Sequence, residues 1–224
     1  MILTKTFLIT KLFCLNMDIL QQPKPIYIGK INTSEREIRD LIKAWIAISI
    51  AFAIVMRGFM EMNFYELFII SAVTVGTGFL LHELGHKIVA QRYGCFAEFR
   101  SFDQMLFLAV LMSFFGFVFA APGAVMISGP VGVRRNGKIS AAGPIINLIL
   151  AFLFLSLRLV FPTGFLSIVA FYGFFINSWL ALFNLIPLWN FDGKKILRWN
   201  KKVYGVIMAI ALVLMFLQNF IIAG

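Results

Sequence analysis

The only two histidines of the chain, His82 and His86, stand four residues apart, with Glu83 directly after the first, in Gly78-Phe-Leu-Leu-His82-Glu83-Leu84-Gly85-His86-Lys87. On an α-helix, four residues turn by about 400° and rise by about 6 Å. The two imidazoles therefore point the same way, one turn apart, and can share one tetrahedral metal. Glu83 lies about 100° round the helix, off the ideal ligating direction but close enough to take a proton from a water held beside the metal. The spacing predicts the geometry of a zinc hydrolase. The bland alternative is a pair of packed, satisfied histidines. The apolar setting weighs against it, because ionisable groups at hydrocarbon depth are costly and usually functional.

Two histidines and a water make three ligands, so a tetrahedral catalytic zinc needs one more protein donor. Asp18 and Asp40 precede the first apolar span, and Asp103 lies just before another apolar run. Asp192 sits in Asn184-Leu-Ile-Pro187-Leu-Trp-Asn-Phe-Asp192-Gly193-Lys194. Pro187 breaks a helix there and Gly193 permits a tight backbone turn, so Asp192 can fold back into the bundle as the third ligand. The competing reading is a solvated aspartate capping a loop beside Lys194 and Lys195.

With both stretches in view, the chain resembles the site-2 protease family of intramembrane zinc metalloproteases. His82-Glu83-Leu84-Gly85-His86 resembles the family's first motif, and Asn184-x-x-Pro187-x-x-x-x-Asp192-Gly193 its second; Ala142-Gly143-Pro144 resembles the opening of the helix between them. The likeness covers roughly residues 64–200. It departs at Asn190, where the family often has a second proline, and at Lys194, where it usually has a second glycine. The resemblance implies His82, His86 and Asp192 as ligands of one Zn2+, Glu83 as general base and acid, and Asn184 as a polar group near the scissile carbonyl. It implies an endopeptidase acting on transmembrane protein substrates. A metal transporter or sensor, and an inactive relative that only binds membrane helices, are the competing functions.

These residues need a scaffold, and the composition says which kind. With 61% hydrophobic and 13% charged residues, and a mean hydropathy of +0.91, the chain lies outside the range of soluble domains. The expected fold is an all-α multi-pass membrane protein: a bundle of five to six transmembrane helices with a re-entrant or extended segment near the active site. The formal charge of +10 comes from basic residues beside apolar runs, which marks cytoplasmic flanks and anionic lipid head groups rather than nucleic acid. Cys14 and Cys95 suggest neither a disulfide framework nor a metal knuckle. Residues 1–33 are expected to be a cytoplasmic lead and 34–224 one membrane-embedded protease domain. Within the lead, residues 1–16 resemble a weak signal peptide, with Met17 an equally plausible start. Oligomeric state is left open.

Thr33-Ser34-Glu35-Arg36-Glu37 reads as a capping box, opening a helix whose first span is Ala44 to Met56. The motif helix is expected from about Asn63 to Tyr93, closed by Gly94, with His82 about 28 Å along it. Met105 to Ala121, Ile139 to Phe161 (with Pro144 in its first turn), Thr163 to Leu188 and Val203 to Ile222 are further apolar runs, and Asn190 to Lys202 is a polar stretch. If Asp192 meets His82 and His86, the ends of the helices over 63–93 and 163–188 share a side. Arg134, Arg135, Lys138 and Lys194 to Lys202 mark that side as cytoplasmic. The chain must then leave and re-enter one face between Gly94 and Ile139, so Met105–Ala121 is expected to enter the membrane and Pro122–Gly132 to return in extended form. The metal centre is accordingly expected to open toward the cytoplasmic side of a cell membrane.

Overall fold

A computed structural model describes residues 26–29, 31–118 and 122–222; the readings made for residues 1–16 lie outside them. A short antiparallel hairpin, β1 (Ile26–Ile28) and β2 (Ile31–Thr33), leads into α1 (Glu35–Arg57). Ser34 caps α1 by accepting from the Glu37 N–H. The expected reciprocal bond from Glu37 is not made, because its carboxylate is drawn to Thr33, Lys87 and Phe99 instead.

The motif helix begins with α2 (Phe64–Ser71), passes through a π turn (Ala72–Gly76) and continues as α3 (Thr77–Arg92). Asn63 and Glu66 form a true capping box at its start. The π turn, which the sequence reading did not anticipate, gathers donors on one carbonyl. Ala72 O accepts from the Trp45 indole at 3.1 Å and from Thr77 Oγ1 at 2.9 Å, and the Thr77 amide reaches it from five residues on. Such turns concentrate near functional sites. Gly94, with φ +73°, ends the helix as expected, and the Cys95 N–H reaches Ala90 O at 3.1 Å.

β3 (Phe96–Ser101) then pairs antiparallel with β4 (Gly123–Ser128), from Phe96 opposite Ser128 to Ser101 opposite Gly123. Part of the segment expected to be extended, Gly123–Ser128, is therefore a strand. The helix between the strands, α4 (Asp103–Ser113), has 11 residues, shorter than the expected Met105–Ala121. Lys43 pairs with Asp103 and holds its carboxyl below the usual range, tying α4 to α1. α5 (Val133–Val160) starts six residues before the expected span. Its basic first turns are thus helical, and Pro144 lies well inside the helix rather than at its first turn. α6 (Gly164–Leu185) runs back, and Arg158 bridges the turn by donating to Pro162 O and Ser167 Oγ. The polar stretch holds an unexpected short helix, α7 (Asp192–Trp199), before α8 (Lys201–Ile222).

Among the described residues, four helices are long and apolar enough to cross a membrane: Phe64–Arg92, Val133–Val160, Gly164–Leu185 and Lys201–Gln218. α1, expected as a fifth, misses because its first turns carry Glu35, Arg36, Glu37, Arg39, Asp40 and Lys43. The main core joins α5, α6, α7 and α8 through Ala141, Leu148, Phe174, Leu185, Ile196 and Leu214. Small residues at the helix contacts let backbones approach closely, as suits bundles in lipid. Gly85, for instance, leaves room only for the Ile146 side chain of α5.

Candidate metal centre

Two elements supply three side chains. α3 presents His82 and His86, and α7 presents Asp192, its first residue. Helix α6 stops at Leu185, with Pro187 just beyond it, and the chain turns so sharply that Gly193 packs on the carbonyl of Leu185, where any Cβ would collide. Gly193 is thus needed for close approach, not for a left-handed turn. All three side chains are buried, at 5%, 8% and 6% exposure, so water alone does not satisfy them.

Hydrogen positions follow from the neighbours. Asn147 of α5 donates through Nδ2 to Gly78 O at 3.2 Å and to Asn177 Oδ1 at 3.0 Å, so its oxygen faces His82. His82 Nδ1 therefore donates to Asn147 Oδ1, at 2.5 Å. His86 Nδ1 likewise donates to Ile139 O at 2.8 Å. Both rings are left with lone pairs on Nε2. Those two nitrogens lie 3.1 Å apart, and Asp192 Oδ2 lies 3.3 and 3.0 Å from them. Three acceptors converge with no hydrogen among them, an arrangement that calls for a cation. Donors 2.0–2.1 Å from a tetrahedral zinc stand about 3.3 Å apart, and the observed triangle fits that size.

Backbone shape protects this triangle. A Cβ on Gly143 of α5 would stand 2.5 Å from His82 Nε2 and 2.6 Å from Cε1 of both rings. Glu83 is partly buried on the neighbouring face of α3, and its Oε2 accepts the N–H of Val125 in β4 at 3.1 Å. Lys195 reaches Asp192 Oδ1 at 3.5 Å. Of the residues singled out from sequence, His82, His86 and Asp192 come together, with Glu83 adjacent. Asn184 donates to Leu180 O of its own helix at 2.9 Å; among the described residues it makes no hydrogen bond to the three. Sequence reasoning passed over Asn147, although a lone amide in an apolar span was a usable signal.

Buried paired imidazoles, a carboxylate and an adjacent glutamate are the equipment of a zinc metalloprotease, and the chain belongs to that family. It is 42% identical over 178 residues to "Putative zinc metalloprotease MJ0611" of Methanocaldococcus jannaschii, covering 78% of this chain and 90% of that protein. It is also 27% identical over 150 residues to zinc metalloprotease MJ0392 of the same organism, covering 66% of this chain and 39% of that one. No protein-family model matches the chain, and no solved structure matches it significantly. The cofactor is Zn2+, for which His82, His86 and Asp192 form the fitting group.

Proposed function

We propose that the chain is an intramembrane endopeptidase of the site-2 protease type, hydrolysing peptide bonds in or near transmembrane segments of protein substrates. The observation that carries this reading is position. The triad is buried against a helix, Phe64–Arg92, that is itself apolar and long enough to cross a bilayer; His82 stands about 27 Å along it. Zinc, when bound, supplies a Lewis acid that polarises the scissile carbonyl and makes water nucleophilic near neutral pH. Glu83 takes the proton from the attacking water and passes it to the leaving amine. Its Oε2 is held by Val125, which among the described residues leaves Oε1 for that proton.

The substrate helix must unwind before its carbonyl is open to attack, and β4 offers a place for the unwound strand. Phe99 and Val125 face each other, and both send their N–H outward, to Glu37 and Glu83. By the two-residue period of a strand, Gly123 and Ile127 also turn their backbone groups to the outer edge. An extended peptide can add there, beside Glu83. Asn184 is assigned to the scissile carbonyl, which requires it to leave Leu180 O. α1 is assigned as a further, half-embedded helix, so that the chain is a multi-pass cell-membrane protein with α4 re-entrant and the centre opening to the cytoplasm. A transporter uses several ionisable stations along a path; among the described residues, one group of three metal-binding side chains converges.

The decisive experiment is cleavage of a model transmembrane substrate in detergent, with zinc measured in parallel. Glu83→Gln is expected to abolish cleavage while retaining one zinc per chain; an active Glu83→Gln enzyme sinks the base assignment. Cysteines placed at Arg100 and Arg135 are expected to label from the same side of sealed vesicles, and opposite sides overturn the re-entrant path.

A further inference from the structure

Directly after the second metal ligand, on the neighbouring face of the helix, α3 carries a second polar group that the reaction scheme does not use. Lys87 and Glu37 pair with 1% and 0% of their surfaces exposed. Glu37 Oε2 also accepts the Thr33 hydroxyl at 2.6 Å, and Oε1 accepts the Phe99 N–H at 2.8 Å. Thr33 ends β2, Glu37 opens α1, and Phe99 lies mid-way along β3, so one carboxylate joins three elements to α3. Gln91, a further turn along, takes the Asn32 N–H at 3.0 Å and donates to Asn32 O and Ala97 O.

The contacts close into a ring. Phe99 stands directly opposite Val125, and Val125 donates to Glu83. The two-stranded sheet is therefore gripped on both outer edges by carboxylates, Glu37 on one strand and Glu83 on the other. Both grips hang from one face of α3, because Glu83 and Lys87 are four residues apart. A buried ion pair is a poor source of stability compared with apolar side chains of similar volume, so what it contributes here is position.

We propose that Glu37 and Lys87 are positioning residues for Glu83: they fix the sheet against α3 and so aim the carboxylate that handles the proton. The inference rests on the reading of Glu83 as base. It makes the hairpin, α1 and the metal helix one mechanical unit, in which a change at residue 37 is felt at residue 83.

Two double variants of the full chain separate aim from fold. Glu37→Gln/Lys87→Met and Glu37→Leu/Lys87→Met both remove both charges, but only the first keeps an oxygen for the Phe99 N–H. Zinc content, Tm, kcat and KM are measured for each against wild type. The Gln/Met variant is expected to keep kcat within about threefold, while the Leu/Met variant loses at least about tenfold in kcat with KM nearly unchanged and zinc retained. Equal kcat in the two doubles overturns the proposal. So does loss of zinc in the Leu/Met variant, which assigns the clasp to the metal ligands rather than to Glu83. A wild-type chain that binds zinc but cleaves nothing removes the protease reading itself, and the inference with it; failure of the doubles alone leaves that reading standing.

Discussion

Helix α3 carries two buried polar sites on neighbouring faces, and they are built on opposite principles. At the Glu37–Lys87 clasp every donor group has a taker: the ammonium, the Thr33 hydroxyl and the Phe99 amide all meet one carboxylate. At the metal centre the hydrogens are sent away, to Asn147 and Ile139, and three lone-pair atoms are left facing one another. The first site is complete by itself. The second is complete only with a cation. Burial and charge do not distinguish the two; the direction in which the protons point does.

That contrast is open to attack at three points. The hardest blow falls on the ligands. His82→Ala or Asp192→Ala is expected to lose both zinc and cleavage, as read by metal analysis and substrate assay, while the far-UV helical signal stays. Retained stoichiometric zinc in Asp192→Ala means that the triangle is not the ligand set. Next comes Gly143→Ala, whose methyl would stand against both imidazoles. Zinc affinity is expected to fall by more than about 100-fold, since ligands must stay within about 0.5 Å of the productive geometry; competition with a chelator measures it, and wild-type affinity shows that the two helices can part. The smallest effect belongs to Asn147→Ala, which removes the acceptor that sets the His82 tautomer. Loss of such a partner costs about 10- to 100-fold in metal affinity. An unchanged zinc affinity there breaks the claim that proton direction defines the site.

The parts visible in the sequence are those with a short-range signature. His82, Glu83 and His86 follow from helical spacing, Asp192 from Pro187 and Gly193, and the end of α3 from Gly94. The extended backbone before α5, seen as Gly123–Ser128, followed from topology alone, once Asp192 had to meet the histidines. What stayed hidden depends on partners far apart in the chain. Glu37 looks like a capping residue because its neighbours are visible in sequence and Lys87, fifty residues on, is not. Pro144 was placed at a helix start because nothing in the basic segment before it announces two further turns. α7 was missed because its charged residues outnumber the apolar residues that carry its periodicity, of which Ile196 is fully buried. α1 falls short of a span because its charged turns serve the clasp and the Lys43–Asp103 pair, a demand that hydropathy does not register.

The π turn at Ala72–Gly76 gives the motif helix a change of phase. An extra residue in one turn offsets every later side chain by about 100° relative to an uninterrupted α-helix. Leu67 and Ile70 on the first half can therefore be keyed to α1 and α6 while the second half turns its histidines toward α5 and α7, two alignments that one straight helix could not satisfy together. The bulge works as a coupling between two shafts set at different angles: the first half is free to drift in sequence for the sake of its surroundings without taking the chemistry out of true.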